Sequence, residues 1–257
     1  MKTRMDINCD LGESCGAFRV GDDPKIMSFI TSANIACGFH AGDPVTMMKT
    51  IDLAKKHNVA VGAHPGFPDL MGFGRREIEL TSEEAETYVL YQVSALQGFA
   101  KAAGIRLQHV KPHGALYNMA VEDQKLSKAI VDAVKALDNA LIVFAQPKSA
   151  SAKAAVKAGL RIAYEFFADR AYNPDGSLVS RKQANAVIQE PRKVVKRAVK
   201  AVTEGTVLAV NGEELNLGKI HTICVHGDTP TAVKLAEVLR KGLVKAGVEV
   251  EPVGKFV

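Results

Sequence analysis

The chain has 257 residues, 47% hydrophobic and 24% charged, with a formal net charge of +5. That is enough apolar material for one large core and excludes a disordered or strongly polyanionic chain. No apolar run reaches the roughly 18–20 residues a bilayer span needs, and "MKTRMDINCD" lacks a signal-peptide apolar region, so the expectation is a cytoplasmic protein without a membrane segment.

The first predicted strand is "MDINC" (5–9), followed by "ANIAC" (33–37). A helix is predicted over 43–58, with Asp43 as N-cap and Pro44 at the first helical position. After the strand "VAVGA" (59–63) comes a long helix, 81–104, capped by Thr81 or Ser82 and ended by Gly104. Ala85, Tyr88, Val89, Val93, Leu96, Phe99 and Ala100 share its apolar face. Strands follow at "IRLQHV" (105–110), "LIVFA" (141–145) and "RIAYEF" (161–166).

The basic segment "PRKVVKRAVKAV" (191–202) reads as a packed helix with a solvated Lys/Arg face. No aromatics interleave there, so nucleic-acid binding is not expected. Residues 206–218 read as a hairpin around Asn211-Gly212. The chain then gives "HTICVH" (221–226), a helix over 228–247 with an Asp-x-Pro start, and a short closing strand in "VEVEPV". There is no linker or repeat, so one domain over 1–257 is expected.

Alternating strands and helices mean a doubly wound sheet or a barrel. Asp6, Asn8 and Asp10 share one face of the first strand; Ala60, Gly62 and His64 share one face of the third. Thr222, Cys224 and His226 share one face of the last. The opposite faces carry mainly bulky apolar residues for helices. That pattern favours a distorted parallel barrel of about seven strands, with its site at the strands' C-terminal ends.

Polar groups gather there. Asn8, Asp10 and Glu13 follow the first strand; Asn34 and His40 the second; His64 the third. "HVKPHGALYN" supplies His109, Lys111 and His113, with Gln146, Glu165, Asp169, Arg170, His226 and Asp228 from later strands. Burying so many ionisable groups costs several kcal/mol unless they pair or do work. The catalytic candidates are Asp10, His40, His64, Lys111, His113 and Asp169. The substrate-binding candidates are Asn8, Asn34, Glu165, Arg170 and His226. Asp228 has the simpler reading of a helix cap, and Glu13 that of a turn cap.

Carboxylates and imidazoles can activate water directly or through a divalent metal, while Lys111 and Arg170 could hold an anion or an oxyanion. A metal site assembled from Asp10, His64 and His113 stays open, because no H-E-x-x-H or H-x-H spacing occurs. Cys9, Cys15, Cys37 and Cys224 lack C-x-x-C spacing and read as free thiols. "GEELNLGKI" (212–220) has the wrong spacing and context for a P-loop and reads as a hairpin return. The Gly-containing loops "GFHAGDP" and "AHPGFPD" could admit a substrate backbone or a phosphate.

Taken together, "DINCDLGES", "NIACGFHAGDP", "GAHPGFPD" with "GFGRR", "HVKPHGALYN", "FADRAY" with "GSLVSR", and "VHGDTP" resemble the LamB/YcsF family over nearly the whole chain. The resemblance implies a (β/α)7 TIM-like barrel of the glycoside hydrolase/deacetylase type. It implies the A subunit of a 5-oxoprolinase, opening 5-oxo-L-proline to L-glutamate with ATP as co-substrate and subunits B and C as partners. The rival expectations are a metal-dependent deacetylase or carbohydrate hydrolase on the same barrel, and a non-catalytic substrate-binding subunit.

Overall fold

Residues 2–229 and 231–257 are described by a computed structural model. In chain order the first half comprises β1 (Arg4–Leu11), α1 (Asp23–Ile26), β2 (Ser32–Ala36), α2 (Pro44–His57), β3 (Ala60–His64), α3 (Ser82–Ala102), β4 (His109–Val110), α4 (Gly114–Met119) and α5 (Gln124–Leu137). The second half comprises β5 (Ile142–Ala145), α6 (Ala150–Ala158), β6 (Arg161–Phe167), α7 (Pro191–Glu204), β7 (Thr206–Leu208), β8 (Glu214–Asn216), β9 (Thr222–His226), α8 (Ala232–Lys245) and β10 (Glu249–Val250).

Seven parallel strands close on themselves in the order β1-β2-β3-β4-β5-β6-β9, with β9 pairing back to β1. Closure leaves the barrel strands no free edge. The expected barrel is the observed one. β7 and β8 form the expected antiparallel hairpin outside it, and β10 adds to the start of β1.

Helix starts follow local chemistry. Asp43 accepts from the Thr46 amide, and Pro44 opens α2. Thr81, rather than Ser82, caps α3 in a full capping box with Glu84. The buried faces of α3 and α5 include Val89, Val93, Leu96, Ile130 and Val134.

Two expectations need correction. The strand expected over 105–110 pairs only at His109–Val110, because residues 105–108 carry the chain from the end of α3 to the barrel wall. The last helix begins at Ala232 with Thr231 at its N-cap position and no side-chain cap. Asp228 is committed to Arg75 instead, at 2.5 Å, and Pro230 of the expected start lies outside the described residues.

Strand alternation sends the polar face of each strand inward, as the period of two requires. Polarity is not confined to the mouth. Asp6, fully buried near the floor, accepts hydrogen bonds from the hydroxyls of Thr31, Ser32 and Thr222. Below, Val253 packs with Ile142, Phe144 and Ala163, and the C-terminal Phe256 and Val257 lie against them.

Candidate active site

The middle layer of the barrel is a polar network, in which Glu165 Oε2 and His109 Nδ1 are left without a partner. Asn8 Nδ2 donates to Glu165 Oε1 (3.0 Å) and Thr222 Oγ1 (2.7 Å), while its Oδ1 accepts from Asn34 Nδ2 (2.7 Å). Asn34 Nδ2 also donates to Asp10 Oδ1 (2.8 Å), and Asn34 Oδ1 accepts from His109 Nε2 (2.8 Å). The His109 ring lies flat on Phe144, centroids 4.2 Å apart, and fills the space opposite Gly62. Burial, with the Lys111 charge adding to it, pushes the His109 pKa down to about 3. Asn8, Asn34 and Glu165 were expected to bind substrate. They are at most 1% exposed and bonded to one another, so they build the floor of the site rather than touch what enters it.

Lys111 rises from the end of β4 into this network. Its Nζ reaches Asn8 Oδ1 (3.2 Å), Asp10 Oδ1 (2.8 Å), Cys224 Sγ (3.0 Å) and Glu165 Oε1 (3.0 Å). An ammonium has three protons, so this one is fully engaged. Burial alone would lower its pKa, but Asp10, Cys224 and Glu165 outweigh that and hold it well above the ordinary lysine value. Lys111 is therefore neither a base nor a free anion hook. It is the fixed charge that orients Asp10. Asp10 in turn is pushed up by burial and pulled down further by His64 and Lys111, so its carboxyl lies well below the usual range.

Above it sit three imidazoles and a carboxylate. His40 stacks on His113 with centroids 3.7 Å apart, and His64 meets both rings edge-on. His64 Nδ1–H donates to the Lys111 carbonyl (2.6 Å), and His113 Nε2–H donates to the Phe73 carbonyl (2.8 Å). Glu13 Oε1 lies 3.5 Å from His40 Nε2 and 3.6 Å from His113 Nδ1. Burial raises the Glu13 carboxyl well above its ordinary value, with Asp10 and Asp228 adding to it. The loop holding these rings needs Gly74: at φ +62°, a Cβ there would sit 2.6 Å from His40 Cβ and 2.9 Å from His113 Cδ2. This glycine makes room for the rings.

On the far wall His226 Nδ1 lies 2.9 Å from Asp169 Oδ2. The pairing puts the proton on Nδ1 and leaves Nε2 as the reactive nitrogen. Burial would raise the Asp169 pKa, yet His226 and the nearby arginines hold it below the ordinary value. Arg170, expected to bind an anion, turns away: its guanidinium donates to the Val179 and Ala186 carbonyls and ties down the loop after β6.

Thus the structure brings Asp10, His40, His64, Lys111, His113, Asp169 and His226 to one mouth and leaves Arg170 as a loop clamp. Glu13 belongs to the imidazole cluster, and Arg75, not singled out from the sequence, bridges the mouth to Asp228 while lying 4.9 Å over the Phe73 ring. Its position in "GFGRR", beside the other mouth motifs, was the available signal. Cys224, read as a free thiol, is one and accepts from Lys111. Four donor atoms from Glu13, His40, His64 and His113 lie within 4.8 Å of one another, as do three from Asp10, Cys224 and His226. A groove of about 800 Å³ beside α7, lined by Lys193, Lys196 and Arg197, lies outside the barrel.

Comparisons with known proteins agree with this architecture. The chain is 52% identical over 254 residues, 99% of both chains, to the 5-oxoprolinase A subunit of Pyrococcus horikoshii. It is 48% identical over 257 residues, the full length of both, to the protein of that name from Fusobacterium nucleatum. Among solved structures, the lactam utilization protein of Thermus thermophilus superposes with a TM-score of 0.91 at 47% identity, covering 96% of this chain and 99% of that one. The LamB/YcsF family model matches residues 5–257, and the chain belongs to the LamB/YcsF family.

Proposed function

We propose that this chain is the A-type subunit of a 5-oxoprolinase, opening the lactam of 5-oxo-L-proline to L-glutamate. The carrying observation is the 52% identity, over 99% of both chains, to a relative bearing that name. The barrel mouth supports it with the groups that amide hydrolysis needs.

Asp10, held ionised by Lys111, accepts a hydrogen bond from the attacking water and aims it at the lactam carbon. His226, its tautomer fixed by Asp169, faces Asp10 across the β1–β9 pair. It takes a proton from that water and returns one to the departing ring nitrogen. Arg75, the half-exposed cation at the rim, pairs with the substrate carboxylate in exchange for Asp228. A lactam is an unactivated amide, so ATP enters as the co-substrate: its γ-phosphoryl group moves to the lactam oxygen with release of ADP. Water attack and departure of the ring nitrogen then leave an acyl phosphate on the opened chain, and a second water releases phosphate and glutamate. Subunits B and C share the phosphoryl transfer. Residues 214–216 of the "GEELNLGKI" segment form a hairpin strand, as the sequence led us to expect.

The test is glutamate release from 5-oxo-L-proline, with and without ATP, by the chain alone and with B and C added. ATP-dependent turnover by the full assembly, lost in Asp10→Asn, is the expected result. Turnover that survives Asp10→Asn undiminished would make this chain a substrate-presenting subunit. No turnover under any condition would remove the 5-oxoprolinase reading.

A further inference from the structure

Two nitrogens in the imidazole cluster face each other with nothing to share. Carbonyl oxygens only accept, so His64 must carry its proton on Nδ1 and His113 on Nε2. The remaining atoms, His64 Nε2 and His113 Nδ1, are then lone pairs 2.9 Å apart. Around them Glu13 Oε1 and both ring nitrogens of His40 are buried without a hydrogen-bond partner. His40 is fully buried and Glu13 is 4% exposed. Orphaned polar atoms converging in this way need an explanation.

A proton shared between His64 and His113 relieves one contact and leaves Glu13 and His40 unpaired. A cation between them takes one lone pair from each of the four side chains. We infer that Glu13, His40, His64 and His113 form a binding site for a single divalent transition-metal ion.

The geometry fits. Bonds of about 2.0–2.1 Å to nitrogen in a tetrahedral site put neighbouring donors about 3.4 Å apart. The distances here are 2.9 Å between His64 and His113, 3.5 Å between His40 and Glu13, and 3.6 Å between His113 and Glu13. The two backbone-carbonyl partners of His64 and His113 are the outer hydrogen bonds that fix ligating tautomers. Three imidazoles and one carboxylate suit Zn²⁺, Co²⁺ or Ni²⁺ better than Mg²⁺ or Ca²⁺.

This site is independent of the lactam-opening reading, and its test does not use turnover. The full-length chain, stripped by chelation and dialysed, is titrated with Zn²⁺ and with Co²⁺. Occupancy is read by elemental analysis and coordination by the visible spectrum of bound Co²⁺. One equivalent per chain is expected, with a tetrahedral Co²⁺ spectrum. His113→Ala and His64→Ala should each weaken binding by more than the roughly 10–100-fold typical of losing a supporting partner. His57→Ala, near the C-terminal end of α2, should change nothing. Imidazole ¹⁵N shifts of the wild-type chain provide a readout that does not depend on any variant folding, with His64 Nε2 and His113 Nδ1 expected to move on Zn²⁺ addition. Failure of the stripped wild type to take up either ion would overturn the proposal. So would binding that survives His113→Ala, or ¹⁵N shifts confined to other histidines.

Discussion

Lys111 Nζ lies 2.8 Å from Asp10 Oδ1 at the centre of the barrel, and the same ammonium is 3.0 Å from Glu165 Oε1. All three side chains are buried, so the charges are interdependent. Removing one member of such a group leaves the others uncompensated, at a cost of about 3–5 kcal/mol. Lys111→Ala should therefore lower the melting temperature by roughly 6–20 °C, using about 2–4 °C per kcal/mol for a domain of this size. Adding Glu165→Gln to Lys111→Ala should recover part of the loss. Urea denaturation of the single and double variants gives the coupling directly. Strictly additive losses would mean that the ammonium does not hold Glu165.

Gly62 faces His109 so closely that an added Cβ would lie 2.0 Å from His109 Nε2. The ring cannot yield easily, because it is stacked on Phe144 and bonded to Asn34. Gly62→Ala should destabilise the chain by about 1–3 kcal/mol, the usual cost of overpacking. It should also lower activity by tilting Asn34 away from Asp10. Stability measured in urea within experimental error of wild type would show that the ring has somewhere to go.

The strand faces were legible because alternation is a local signal: Asp6, Asn8 and Asp10 point inward together, as do Thr222, Cys224 and His226. The helix caps at Asp43 and Thr81 were legible for the same reason. What each polar group does was not. Arg170 looked like an anion hook, but its partners are carbonyls of Val179 and Ala186, in a loop without periodicity. Lys111 looked free, yet it is saturated by β1, β6 and β9 residues, a convergence that only closure of the barrel creates. The His64–His113 contact joins residues 49 positions apart through the β3–β4 pair, and Glu13 reaches it from a loop. Sequence placed these groups at one mouth and could not say which would be left with an unshared lone pair.

The C-terminal residues close the bottom of the barrel. Val253 is fully buried against Ile142, Phe144 and Ala163, and Arg161 donates to the Val257 carbonyl at 3.1 Å. Removing residues 253–257 should cost at least about 2 kcal/mol, the worth of one fully buried aliphatic side chain. It should also expose an apolar surface that binds a hydrophobic dye. An unchanged urea midpoint for the shortened chain would show that the plug contributes nothing to stability.

His221 lies at the opposite end of β9 from the mouth and ties folding to pH. Its Nδ1 accepts from the Tyr164 amide at 3.0 Å, so the folded ring is neutral with its proton on Nε2, and it stacks on the Tyr164 ring. Burial, with the Lys219 charge adding to it, pushes the pKa down to about 4. An unfolded histidine titrates near ~6.5. Between those values the unfolded chain binds a proton that the folded chain refuses. This contribution to stability is therefore present above about pH 6.5 and lost as pH falls toward about 4. Asp6 acts in the opposite sense: burial raises its pKa to about 6, so acidification from there favours the folded state. His221→Asn separates the two, because an Asn oxygen can replace Nδ1 as acceptor and does not titrate. Urea unfolding at pH 7 and pH 4.5 should show a smaller stability loss on acidification for His221→Asn than for wild type. Equal losses in the two proteins would place the acid sensitivity elsewhere.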